Sequence, residues 1–427
     1  MKFGSTRGQS ALVSFSEALL QGLAPDGGLY MPQQWPQLSA LVPEPLPDLA
    51  AKLIEPFASG DVLEPDIGQI TTEAFNFAAP LRAVGASGRV DVLELFHGPT
   101  AAFKDFGARF LAACLSRMRK SADRPLRILV ATSGDTGGAV AAAFHRRPGI
   151  EVVVLFPKGQ VSPTQQQQLT CWGENVTSLA VRGSFDDCQR LVKEAFLDAS
   201  LRARVEMTSA NSINLGRLLP QAVYYAASSL DVNARTGGKA SYVVPSGNLG
   251  NVAACVWARR MGLPIDRIVL AHNANRTVPE FLATGQLRPR ASVATLASAM
   301  DVGNPSNLER LLALFPGTEL ANQVSACSIS DAQIRERIRE DHATYGMTWC
   351  PHTATAAEAY ALLPEEDRAS HHWVLVATAH PAKFREIVEP LAGPVPVPEH
   401  LQHLYDLPSR FSEIGPTLSE LVRATSD

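Results

Sequence analysis

Three segments of this chain repeat one layout: a short apolar run, a tight polar or glycine-rich turn, then an amphipathic stretch. Residues 90–96 lead through His97-Gly98-Pro99-Thr100 into a helix expected near Lys104. Residues 126–132 lead through Ser133-Gly134-Asp135-Thr136-Gly137-Gly138 into a helix expected near Ala139. Residues 242–245 lead through Ser246-Gly247-Asn248-Leu249-Gly250-Asn251 into a third helix, which should end near Gly262-Leu263-Pro264. Strands alternating with helices predict an α/β protein with open, mostly parallel sheets. Further apolar runs at 152–157, 176–181, 268–272 and 372–377 complete the expected strand set. In such a sheet the turns gather at the carboxyl ends of the strands, where ligands bind.

Each turn also presents free backbone N–H groups at a helix start, which is an anion cradle. The 246–251 turn suits a phosphate best, because Gly247 and Gly250 let the backbone approach and Ser and Asn side chains add donors. The residues alone leave an ordinary βα turn as the other reading. Neither glycine-rich loop reads G-x-G-x-x-G, and the Gly238-Lys239 pair lacks the rest of a Walker loop, so dinucleotide and nucleotide-triphosphate sites are disfavoured. Lys104 lies between Phe103 and Asp105-Phe106 at a helix start. Both the helix N-terminus and an apolar setting disfavour the ammonium form, so this amine could serve as a nucleophile or base. A surface lysine packed on Phe103 is the competing reading.

At 427 residues the chain should form two or three domains. Residues 1–88, rich in proline, glycine and short polar turns, form an expected N-terminal unit. A hydrophobic content of 46% with 19% charged residues fits a well-buried globular chain. The net charge of −4 gives no basic field for nucleic acid, and no apolar run is long enough to span a bilayer. The opening residues lack the apolar core of a secretory signal. None of Cys114, Cys171, Cys188, Cys255, Cys327 and Cys350 stands in a C-x-x-C pair or at zinc-ligand spacing, so we expect reduced thiols, a cytoplasmic location and no metal.

Phe96-His97-Gly98-Pro99-Thr100-Ala101-Ala102-Phe103-Lys104-Asp105-Phe106 resembles the cofactor-lysine segment of the threonine synthase family, within the fold-type II pyridoxal-phosphate enzymes. Ala131-Thr132-Ser133-Gly134-Asp135-Thr136-Gly137 is similar to that family's substrate-side loop, where wider relatives usually have Asn in place of Asp135. The 246–251 turn is similar to its cofactor-phosphate loop, with Leu249 where a bulkier residue often stands. The likeness extends in order through Ser5-Thr6-Arg7-Gly8, the 22–30 and 211–217 segments, Asp301-Val302-Gly303-Asn304-Pro305-Ser306-Asn307, and Thr378-Ala379-His380-Pro381-Ala382-Lys383-Phe384.

The resemblance implies pyridoxal 5'-phosphate held as a Schiff base on Lys104. It implies conversion of O-phospho-L-homoserine and water to L-threonine and phosphate by β,γ-replacement. Gly247, Asn248, Leu249, Gly250 and Asn251 would bind the cofactor phosphate, and the Thr378 hydroxyl would meet the pyridine nitrogen. Ser133, Asp135 and Thr136 would face the substrate, with Asn214 and Arg217 at its phosphate. His97, His272 and His380 receive no catalytic role, although His97 is the one expected nearest the cofactor. The implied architecture is a small N-terminal domain (1–88), a cofactor-lysine and substrate-loop domain (89–209), a larger cofactor-binding domain (210–395) and a tail (396–427), as a monomer or homodimer. A related phospho-lyase releasing 2-oxobutyrate, or a non-catalytic phosphate-binding protein, would share these loops.

Overall fold

The computed structural model describes residues 1–85, 88–119 and 124–425. Its strands are β1 (Phe3–Ser5), β2 (Tyr30–Pro32), β3 (Leu81–Ala83), β4 (Val90–Glu94), β5 (Leu126–Ala131), β6 (Ile150–Pro157), β7 (Val176–Val181), β8 (Glu206–Ser209), β9 (Ala240–Pro245), β10 (Ile265–His272), β11 (Ser325–Ser328), β12 (His372–Ala377) and β13 (Ser412–Ile414). They form a 6-stranded sheet in the order β11-β10-β9-β12-β4-β3, a 5-stranded sheet in the order β13-β7-β6-β5-β8, and the small β1-β2 pair. Every pairing in the 5-stranded sheet is parallel. In the 6-stranded sheet only β3 runs antiparallel, on the edge beside β4. All six residues of β9 are buried, as a strand covered by helices on both faces requires.

All seven expected strands are present, and six short ones join them. The helix expected near Ala139 starts at Asp135, and the glutamine run 165–168 lies on the helix Pro163–Thr170. Sheet membership does not follow the expected domain limits. β4, inside the 89–209 segment, pairs with β12 in the 6-stranded sheet, while β13, inside the expected tail, completes the 5-stranded sheet.

The N-terminal helices Leu46–Ala58 and Ile67–Ala74 bury Leu53, Ile54, Phe57 and Ile70 in the same apolar cluster as Phe106 and Leu111 of the helix Lys104–Met118. That helix therefore packs on the N-terminal segment on one side and on Asp135–Phe144 on another. No helix among the described residues is long and apolar enough to cross a membrane.

Candidate active site

A cavity of about 470 Å³ opens between the two sheets, at the carboxyl ends of β5, β8, β9 and β12 and beside the turn that follows β4. Of the expected site residues it collects Lys104, Ser133, Asp135, Thr136, Arg217, all of 247–251 and Thr378.

Lys104 is the first residue of its helix, and its Nζ lies 5.0 Å from the centroid of the Phe103 ring. Burial pulls its pKa down to about 8; Asp135 opposes this, while Arg217 and Lys383 reinforce it. The turn that delivers Lys104 is stitched to the segment after β12. Phe103 N–H donates to the Thr378 carbonyl (2.9 Å), and His380 N–H donates to the Ala101 carbonyl (3.0 Å). Ala101 adopts φ +52°, a left-handed conformation costly for a residue with a Cβ.

The 246–251 turn makes a phosphate cradle. Leu249 has φ +62°, and the helix Gly250–Arg260 begins immediately after it. Among the described residues, no acceptor takes the backbone N–H groups of residues 247–252. Asn248 is pinned on three sides. Its Nδ2 donates to Ser212 Oγ (2.7 Å), its Oδ1 accepts from Ser306 N–H (2.5 Å), and its carbonyl accepts from Asn307 Nδ2 (3.0 Å). Asn251 Oδ1 accepts from Tyr224 and Tyr225 (2.6 and 2.8 Å), leaving its buried Nδ2 without a partner. A row of unpaired donors at a helix start, an unsatisfied amide in the cavity wall and a low-pKa lysine together fit a phosphorylated aldehyde cofactor.

A second donor set sits across the cavity. Thr132 Oγ1 accepts from Gly134 and Gly137 N–H (2.9 Å each), while the N–H groups of Ser133, Asp135 and Thr136 keep no acceptor among the described residues. Asp135 is almost fully buried; its Oδ1 lies 2.9 Å from Lys383 Nζ and accepts from Gln165 Nε2 at 3.1 Å. Burial alone would raise its pKa, but Lys383 and then Lys104 hold it well below the usual carboxylate range.

Arg217 is buried at the cavity wall. It donates through Nη1 to the Ala210 carbonyl, and its Nε has no partner. Burial lowers its pKa to about 10, so it stays cationic at neutral pH. Asn214 is not brought to the cavity. Its Nδ2 donates to the Leu19 and Ser209 carbonyls (2.9 and 3.0 Å) and its Oδ1 caps the short helix Leu215–Leu218, so its polar atoms are committed to holding the backbone.

His97 also lies outside the cavity, as do His272 and His380; it is exposed and 2.8 Å from Glu94. The histidine that does line the site is His352. Burial drops its pKa to about 4, and its Nε2 accepts from Ala299 N–H (3.0 Å), so it is a neutral ring with its proton on Nδ1. Nothing in its Pro351-His352-Thr353 surroundings marks it in sequence. Lys383 lies in the 378–384 segment that resembles the family, but its role shows only in its buried pairing with Asp135.

The N-terminal segment reaches the same loop through a buried guanidinium. Arg310 donates to the Tyr30 carbonyl (3.2 Å), to the Ser212 and Ile213 carbonyls (3.3 and 2.6 Å) and to Asn307 Oδ1 (2.6 Å). Its neighbour Glu309 accepts from Thr6 Oγ1 (2.5 Å) and Arg7 Nε (3.2 Å). The Ser5-Thr6-Arg7-Gly8 segment and the 301–307 segment thus converge on one helix start, one residue from Asn307, which bonds the cradle.

Thr378 directly follows β12 at the cavity wall, and its hydroxyl has no protein partner among the described residues. Thr378→Val removes that hydroxyl at nearly constant volume. It is expected to weaken cofactor retention or turnover by about 1–3 kcal/mol with folding intact. Unchanged cofactor affinity and kcat would remove Thr378 from the site.

The residues 86–379 match the family model described as pyridoxal-phosphate dependent enzyme, and a pyridoxal 5'-phosphate-dependent aspartate racemase shares the fold (TM-score 0.53, 16% identity, 74% of this chain and 94% of the other). Fold and cavity therefore define a fold-type II pyridoxal-phosphate enzyme. Residues 2–75 and 353–425 match models described as threonine synthase N terminus and threonine synthase, C-terminal. The chain is 40% identical to a threonine synthase of Haemophilus influenzae over 96% of both chains, and 39% identical to that of Escherichia coli over 96% of this chain and 95% of the other. The solved Escherichia coli threonine synthase superposes with a TM-score of 0.91 at 36% identity, covering 100% of this chain and 99% of that one. The PLP-bound threonine synthase from Brucella melitensis gives 0.90 at 34% identity, covering 99% and 98%. With its N-terminal, central and C-terminal parts all matched, the chain belongs to the threonine synthase family.

Proposed function

We propose that this chain converts O-phospho-L-homoserine and water to L-threonine and phosphate, with Lys104 both anchoring pyridoxal 5'-phosphate and moving the protons. The observation that carries this reading is the Lys104 amine, held near pKa 8 by burial between two sets of free backbone N–H groups. When bound, the cofactor supplies an electron sink for charge left on the substrate carbons.

The N–H groups of residues 247–252 would hold the cofactor phosphate, and those of Ser133, Asp135 and Thr136 the substrate α-carboxylate. Arg217, a guanidinium in the cavity lining whose buried Nε has no partner, would hold the substrate phosphate. An amine of pKa about 8 is neutral in a useful fraction near neutral pH. Lys104 can then take the Cα proton and afterwards a Cβ proton. Loss of the Cβ proton expels phosphate from Cγ by carbon–oxygen cleavage. A water confined in the cavity adds at Cβ, and protons return to Cγ and Cα. Confinement matters, because bulk water would release the unsaturated skeleton as 2-oxobutyrate. Six free thiols, five of them buried, fit a reducing compartment such as the cytoplasm.

In oxygen-18 water with O-phosphohomoserine, the enzyme is expected to give threonine labelled at its β-hydroxyl and unlabelled phosphate. Solvent deuterium should enter Cα and Cγ. Predominant 2-oxobutyrate and ammonia would make it a phospho-lyase, and labelled phosphate with unlabelled homoserine would make it a phosphatase.

A further inference from the structure

A second lysine stands beside the first. Lys383 is fully buried, 2.9 Å from Asp135, and its Nζ also donates to the Thr100 carbonyl at 2.8 Å. It lies in the short turn Pro381–Phe384 after β12, in the 6-stranded sheet, whereas Asp135 opens the helix after β5, in the 5-stranded sheet. The pair therefore bridges the two sheets across the cleft. Asp135 forms part of the cavity wall; Lys383 stands behind it and does not reach the cavity. Gln165 Nε2 donates to the same Asp135 oxygen (3.1 Å), and Gln168 Nε2 donates to the same Thr100 carbonyl (3.0 Å), so both ends of the bridge are held in place.

The charged and titratable groups that bear on Lys104 come from four elements: Asp135, Lys383, Arg217 and the neutral His352. Asp135 is the one anion among them. A buried carboxylate beside an amine makes that amine its counter-ion unless another cation takes the part. As a counter-ion, Lys104 would stay protonated, unable to attack a carbonyl or accept a proton.

We propose that Lys383 is a positioning residue whose ammonium occupies the Asp135 carboxylate and leaves Lys104 as the neutral, nucleophilic amine of the cavity. On this account Asp135 is the counter-charge of Lys383 rather than a side-chain ligand of the substrate, whose carboxylate meets only the backbone N–H groups beside it. The proposal rests on Lys104 as the reactive lysine, but its test does not depend on the substrate assigned above.

The test is competitive acetylation of the full chain freed of cofactor. Acetic anhydride is applied across a pH series, and the Lys104 peptide is quantified by mass spectrometry. Lys383→Met is expected to raise the labelling midpoint of Lys104 by on the order of one pH unit or more, because a cation leaves and an anion is released toward the amine. Asp135→Asn should lower it, and Lys383→Arg should leave it near the parent value. Asp135→Asn/Lys383→Met removes both charges of the pair and keeps the test open if Lys383→Met folds poorly; its midpoint should return to within about half a unit of the parent. An unmoved or lowered midpoint in Lys383→Met would overturn the proposal, as would a double variant displaced as far as the single one. Threonine production by the parent enzyme bears only on the proposed reaction, so the two readings can fail separately.

Discussion

Lys104→Ala is expected to lower kcat by at least about 10⁴-fold, the upper range for removing a positioned proton-transfer group, since this residue is assigned the covalent anchor as well. The loss should fall on chemistry rather than on cofactor binding. The donors of residues 247–252 and the Thr378 hydroxyl come from other elements, and none is held in place by the Lys104 side chain. The variant should therefore still take up pyridoxal phosphate, reversibly and with the spectrum of a free aldehyde. A small primary amine in the buffer should restore part of the turnover, because the cavity left by the side chain is lined by the same groups. A variant retaining more than a few per cent of parental kcat would show that another residue moves the protons.

The second large effect concerns Gly247. A Cβ there would lie 2.7 Å from Met300 Cα and 3.3 Å from the Ala299 carbonyl oxygen, both backbone atoms that cannot swing aside. Gly247→Val must displace either the 246–251 turn or the 299–300 segment. It is expected to weaken cofactor binding by roughly 100-fold, equivalent to an overpacking cost near the top of its usual range. Gly250 supplies the control. A Cβ at Gly250 would meet Ser212 Cβ at 3.4 Å and Asn307 Nδ2 at 3.6 Å, which is ordinary contact. Gly250→Ala should change the cofactor Kd by less than about tenfold. Equal losses in both variants, measured by equilibrium titration of cofactor fluorescence, would mean that the turn tolerates displacement and that close approach at Gly247 is not what shapes it.

The sequence exposed the central strands because they are buried on both faces and read as continuous apolar runs, as in residues 152–157 and 242–245. β11 reads Ser-Ala-Cys-Ser and β13 Ser-Glu-Ile; both are short sheet edges whose pairing is decided by neighbours distant in sequence. The same limit applies within the site. The three turns were legible because local glycine and helix-start patterns mark them. The side chains added by long-range packing were not: His352 arrives on a helix with no local signal, and the Asp135–Lys383 bridge joins positions from different sheets. Asn214 was expected at the substrate phosphate only through the likeness of its segment, whereas its side chain serves as a helix cap, a role that depends on the local fold. Sheet membership crosses the expected domain limits for a similar reason. A strand early in one segment completes the other sheet, and no compositional boundary records that exchange.

The central claim is that Lys104, in this cavity, carries the cofactor. The direct measurement is borohydride reduction of the yellow holoenzyme followed by peptide mapping. The account predicts one pyridoxyl group per chain, on the peptide containing Lys104, with loss of the visible band. Label on Lys383, Lys239 or any other lysine would contradict it.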